Sequence, residues 1–305
     1  MHSKELALEL CKTDGGSQGV TTLEAAYFYC RRAALGHYEN FPVGSALLPA
    51  AKRNYVFAIY AFARLADDIA DTGELTTPQK LDALSQLESA LISCRNFDSL
   101  SNPIFKALAH TRKELSLPDE PFLKLLAAFK SDADFRQPRE WSDVFAYCEN
   151  SANPVGELIL RTFGLYNGRT APLSDAICTG LQLANFWQDF SVDLYLPQPR
   201  VYLPEITLKK NNLSNSDLYD LKYFSNFSES LKEALSITYE LFERGAPLTK
   251  ALKPFRLRLE IAATLAGGRA ILDKVQELDY RVLATRPTLS KRDLFKLIIR
   301  SIFFY

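Results

Sequence analysis

The 305-residue chain is 47% hydrophobic and 24% charged, which supplies a substantial core for one large domain or two ordinary ones. Lys plus Arg balance Asp plus Glu at 36 each, which excludes the basic field of a nucleic-acid binder. No apolar run approaches the ~18 residues of a membrane span, and the opening MHSKELALELCKTDGG lacks a signal-peptide core.

Periodicity is helical nearly throughout, and runs of alternating β-branched residues are missing. A first helix is expected over about 22–35, followed by the loop GHYENFPVGSALLP. A long apolar helix then runs from Lys52 to about Asp71, with Gly73 placed to end it. Thr77-Pro78 reads as a cap with proline in the first turn, opening a helix to about Ser93. Further helices are expected at about 102–115, 120–130, 141–150 and 154–165. Ser174-Asp175 opens an unusually long one through DAICTGLQLANFWQDFSVDLY. Helices resume at about 216–222, 226–245, 247–252, 254–278 and 290–303. The 15 prolines fall mostly between these segments, and no linker or repeat interrupts them, so one all-α domain over residues 1–305 is expected. Cys11, Cys30, Cys94, Cys148 and Cys178 show no CxxC or Cys/His spacing. They read as reduced thiols of a cytoplasmic protein rather than a disulfide framework or zinc site.

Two clusters carry the chemistry. In RLADDIAD, Asp67 and Asp71 share a helix face at i and i+4, while Asp68 is turned aside. The bland reading is a solvated helix end with Arg64 paired to Asp67 or Asp68. Against it stand the like-charge spacing and the helix C-terminus, where the dipole disfavours anions. A cation shared by the acids removes both penalties, and Mg²⁺ is the oxygen-seeking choice. The second cluster, QLANFWQDFSVD, puts Asn185, Asp189 and Asp193 at i, i+4 and i+8, with Gln182 one turn earlier. Leu183, Ala184, Phe186, Trp187, Phe190 and Val192 occupy the other faces. A narrow oxygen-only stripe in an apolar helix reads as a cavity lining, so two such helices are expected to face each other around metal and diphosphate.

The chain resembles the squalene/phytoene synthase family from about His37 onward. DxxxD is matched at Asp67–Asp71, and NxxxDxxxD followed by R-V-Y-L-P at Asn185, Asp189, Asp193 and Arg200–Pro204. AIYAFAR, with Tyr60 and Arg64, and YCENSANPVGEL, with Tyr147, look like further family segments. The resemblance implies an all-α isoprenoid-synthase bundle around a central cavity that binds a prenyl diphosphate. Within the family, HYENFPV keeps His37 and Phe41 but places Tyr38 and Asn40 at the usual serine positions, and Gln188 stands for the usual arginine before Asp189. These departures resemble the branch that turns presqualene diphosphate and water into hydroxysqualene. They point away from a site holding two farnesyl diphosphates at once. The alternatives are condensation of two prenyl diphosphates and a non-catalytic lipid-binding relative.

What the resemblance implies for roles follows residue by residue. Mg²⁺ is held by Asp67, Asp71, Asn185, Asp189 and Asp193. Arg64 and Arg200 clamp the diphosphate through guanidinium forks, and Tyr60 and Tyr202 donate hydrogen bonds to it. Phe41, Tyr147, Phe186 and Trp187 are candidates for the wall around a carbocation, against the alternative of ordinary core. Tyr38, Asn40 or Gln182 positions the quenching water. The basic, amphipathic C-terminus SKRDLFKLIIRSIFFY reads either as a helix docked on the core or as a peripheral foot on the inner face of the membrane. Neighbouring pathway enzymes are candidate protein partners.

Overall fold

The computed structural model describes residues 22–36, 48–94, 100–290 and 293. Among them no strand occurs, and the regular elements are helices. In chain order these are α1 (Leu23–Gly36), α2 (Ala50–Asp71), α3 (Thr77–Ser93), α4 (Pro103–Leu115), α5 (Glu120–Ala133), α6 (Trp141–Ser151) and α7 (Asn153–Thr162). They continue as α8 (Ala171–Gln188), α9 (Phe190–Leu194), α10 (Glu205–Lys210), α11 (Phe224–Gly245), α12 (Leu248–Ala251) and α13 (Phe255–Glu277). The chain divides into two compact units: Met1–Asp134 with Glu157–Tyr166, and Phe135–Gly156 with Asn167–Tyr305.

In the first unit α2 packs against α1, α3, α4 and α5. Its apolar residues cover most of its circumference, including the fully buried Phe57, Ala58, Phe62 and Ala66, so neighbours are needed on several sides. Phe62 meets Phe105 and Phe122 edge to face at 6.2 and 5.7 Å. Arg112 ties the surrounding helices together, donating to the Leu91 carbonyl at 2.7 Å and pairing with Asp119.

In the second unit α8 packs against α6, α11 and α13. The close approach depends on two glycines. A Cβ on Gly180 would lie 2.7 Å from the Phe242 ring, and one on Gly268 would lie 2.6 Å from it. Phe242 of α11 is therefore clamped between α8 and α13 with no room for a methyl group on either.

Several boundaries differ from the sequence expectations. α2 does end at Asp71 as expected, but Thr72 leaves the helix in extended backbone at φ −57°, ψ 130° and Gly73 takes no left-handed conformation. The cap of α3 is Thr76 rather than Thr77, because Gln79 Oε1 accepts from both the backbone N–H and the hydroxyl of Thr76. The helix expected to reach 165 stops at Thr162, since Gly164 turns left-handed at φ 68°. The Gly164 and Leu165 N–H groups then close back on the Arg161 and Leu160 carbonyls. The long helix opens earlier, at Ala171, and is interrupted at Asp189. Residues 216–222 form short 3₁₀ turns, Asn215–Tyr219 and Leu221–Tyr223. The six-residue α10 was not expected, being too short to show a period. The C-terminal helix expected at 290–303 lies outside the described residues except for Asp293. Cys30, Cys94, Cys148 and Cys178 are free thiols. No helix among the described residues is long and apolar enough to cross a membrane.

Two stability predictions follow from the second unit. Gly180→Ala forces a methyl group into Phe242 and should lower the unfolding free energy by about 1–3 kcal/mol, read from the urea midpoint at constant slope. Glu260 has a buried carboxyl oxygen without a hydrogen-bond partner, and burial pushes its pKa up to about 7 from 4.5. Between those values the folded chain holds a proton that the unfolded chain has lost, so stability declines as pH rises through that window. Glu260→Gln should flatten that decline, leaving the variant more stable than the parent chain above pH about 7.

Candidate active site

The first acidic cluster belongs to α2 in the first unit. Tyr60, Arg64, Asp67 and Asp71 follow one another at helical spacing along one flank, opposite the buried Ala58, Phe62 and Ile69. Arg64 Nη1 donates to Asp67 Oδ2 at 3.0 Å, and its Nη2 donates to Asp68 Oδ1 at 2.7 Å. The two pairings expected as alternatives are both made by one guanidinium. The acids are not core groups: Asp67 and Asp68 are 36% and 20% exposed, and Asp71 is exposed at the helix end. Ion pairs at this exposure contribute about 0.2–1 kcal/mol each, so their main effect is to fix the direction of the carboxylates.

The second cluster spans the junction of α8 and α9 in the second unit. Asp189 is the shared cap, at φ −94°, ψ 7°, where regular helix geometry lapses. The stripe survives the break because Asp189 N–H bonds the Asn185 carbonyl at 2.8 Å and Asp193 N–H bonds the Asp189 carbonyl at 2.9 Å. Asn185 Nδ2 donates to Asp189 Oδ2 at 2.9 Å, so the second motif is partly pre-assembled. Arg200 N–H bonds the Asp193 carbonyl at 3.0 Å, which ties the RVYLP segment to the end of the stripe. Leu183, Ala184, Phe186, Trp187 and Phe190 are buried as expected, whereas Val192 is exposed. Gln182 is half-buried one turn before Asn185.

Sequence reasoning missed Arg286. Its Nε donates to Asp189 Oδ1 at 2.5 Å, and Gln188 Nε2 donates to the carbonyl of the next residue, Pro287, at 2.9 Å. These residues lie 97 and 99 positions from their partners, in a non-helical stretch where periodicity carries no signal. An arginine directly before a proline, after a helix end, was the available cue.

The aromatic candidates in this unit gather into one cluster. Tyr202 stacks face to face on Phe186 at 3.7 Å and 5°, and Tyr147 lies 5.9 Å from each ring. Phe135 joins edge-on, 5.1 Å from Tyr202. Trp187 departs from the cavity-wall expectation: it is fully buried, and its Nε1 donates to Thr238 Oγ1 at 2.9 Å, so it is core. His37, Tyr38, Asn40 and Phe41 lie outside the described residues. Among the described residues no three His, Cys, Asp or Glu side chains gather into a preformed metal cage. The donors present are oxygens, and they fit an ion such as Mg²⁺ that takes one or two carboxylates and fills its shell with water and phosphate.

Comparison with known proteins adds the lineage. The family model described as squalene/phytoene synthase matches residues 35–293. A hydroxysqualene synthase of Rhodopseudomonas palustris is 35% identical over 83% of this chain and 82% of its own length. A hydroxysqualene synthase of Sinorhizobium fredii is 32% identical over 82% and 83%. The crystal structure of a squalene synthase from Alicyclobacillus acidocaldarius superposes with a TM-score of 0.78 at 33% identity, over 85% of this chain and 95% of that one. A fold that carries α2 and α8 with their acid stripes, matched over this length, has one family assignment: the chain belongs to the squalene/phytoene synthase family.

Proposed function

We propose that this chain converts presqualene diphosphate and water into hydroxysqualene and diphosphate, with Mg²⁺, in squalene and hopanoid biosynthesis. The observation that carries the reading is the similarity, across more than four-fifths of the chain, to relatives named hydroxysqualene synthase. The acids of both motifs are intact in the sequence, which supports a catalytic rather than a merely lipid-binding role.

The chemistry is heterolysis of a carbon–oxygen bond: diphosphate leaves with the electron pair, and a cyclopropylcarbinyl cation remains. That cation rearranges and is captured by one water, whose proton passes to the released diphosphate. In this reading, carried by the two sequence motifs, Mg²⁺ would be held by Asp67 and Asp71 of the first and by Asn185, Asp189 and Asp193 of the second. Its contribution when bound is to neutralise charge on the leaving group. Arg64 orients Asp67 and Asp68, and Arg200 offers a guanidinium to phosphate oxygens. Tyr60 donates a hydrogen bond to the diphosphate. Phe186, Tyr202 and Tyr147 present a weakly nucleophilic aromatic surface on which a cation survives until water reaches it. His37, Tyr38, Asn40, Phe41 and Gln182 are the remaining residues assigned to substrate binding in this reading. The C-terminal segment meets the inner membrane surface, where substrate and product partition, in a cytoplasmic protein.

The purified chain given presqualene diphosphate and Mg²⁺ without NADPH should release diphosphate and yield hydroxysqualene, identified by mass spectrometry. Chelation of the metal should stop turnover, and added Mg²⁺ should restore it. A C30 product from farnesyl diphosphate alone would instead support the condensing branch of the family. Asp67→Ala and Asp189→Ala should each lower kcat by about a hundredfold or more while helical circular dichroism is retained, since each removes charge stabilisation of the transition state. Parental rates in both variants would sink the metal reading.

A further inference from the structure

Gln188 and Arg286 have no part in the chemistry just described, yet they converge on one of its carboxylates. Gln188 is the last residue of α8, and Asp189 follows it. Two consecutive residues of the segment beyond α13 bind these two in turn: Arg286 Nε reaches Asp189 Oδ1 at 2.5 Å, and the Pro287 carbonyl accepts from Gln188 Nε2 at 2.9 Å. Proline fixes its own φ and biases the residue before it toward extended backbone, so the segment is pre-set as a strap. Asn185 holds the other oxygen of Asp189, so both of its carboxylate oxygens already carry N–H donors. Arg286 is 38% exposed and Asp189 22%, which makes their ion pair displaceable rather than permanent.

We propose that Gln188 is a positioning residue: its amide fastens the 286–287 strap so that Arg286 serves Asp189 as an internal counter-ion, which a divalent cation must displace. The last clause rests on the reading of Asp189 as a metal ligand, whereas the fastening does not. The counter-ion keeps the carboxylate aimed while no metal is bound, and it makes cation binding and strap release a single exchange.

Two readouts on the full-length chain separate these claims. In protein labelled with ¹⁵N-arginine, the Arg286 Nε–H signal, identified by its loss in Arg286→Lys, should exchange slowly with solvent. In Gln188→Met, which keeps length but not the hydrogen bond, exchange should quicken roughly tenfold, the weight of one hydrogen bond. Unchanged exchange overturns the positioning role. In calorimetric titration with Mn²⁺ alone, Gln188→Met and Arg286→Gln should each bind about twofold to fivefold more tightly than the parent chain. The double variant should gain no more than Arg286→Gln alone, a non-additivity that general loosening of the fold does not produce. Equal Mn²⁺ affinity in all the proteins overturns the counter-ion claim. A parent chain that binds no Mn²⁺ overturns it together with the metal reading, and leaves the exchange rate to judge the fastening.

Discussion

Carboxylates on apolar helices need a counter-charge, and much of the arrangement around both motifs answers that need. α2 buries nearly its whole circumference, so its acids can occupy only one flank, and Arg64 must sit there with them. α8 is similarly apolar, and Asp189 receives Asn185 from its own helix and Arg286 from a distant segment. Each solution uses nitrogen donors that orient the carboxylates without burying them completely. That leaves them partly open to solvent yet held in fixed directions.

The supporting packing is strict where these helices meet their neighbours. Phe242 fills the space between Gly180 and Gly268, which brings α8, α11 and α13 into close contact. Behind the second motif, Trp187 is anchored to Thr238. On another side Phe186 is fixed by Tyr202, a residue of the RVYLP segment, whose backbone is in turn tied to Asp193 through Arg200. The acid stripe and the aromatic surface are thus positioned by the same few residues, so disturbance of one would be felt by the other.

Much of this was legible in the sequence because the signals were local. Helical periodicity gave the elements, i, i+3 and i, i+4 spacing gave the Arg64–Asp67 and Arg64–Asp68 pairs, and i, i+4 spacing put Asn185 and Asp189 on one stripe. The break at Asp189 was not legible, since the periodic pattern runs on through Phe190 and Leu194 while the backbone does not. Thr76 prevailed over Thr77 because the partner was Gln79, a side chain three residues on, rather than the neighbouring proline. Gly73 was overvalued as a stop: glycine permits a left-handed turn but does not demand one, and here Thr72 leaves the helix in extended backbone. Arg286 escaped because tertiary contacts across nearly a hundred residues leave no periodic trace. The juxtaposition of Phe186 with Tyr202 was hidden for the same reason.

The tryptophans give the molecule an unplanned optical property. The chain has two, Trp141 and Trp187, and they lie 6.3 Å apart at 74° within the aromatic cluster of the second unit. Emission excited selectively from these indoles therefore originates in that unit. Far-ultraviolet dichroism, which sums the helices of both units, is the complementary channel. Agreement between the two on one unfolding midpoint is then a direct measure of whether the units melt together.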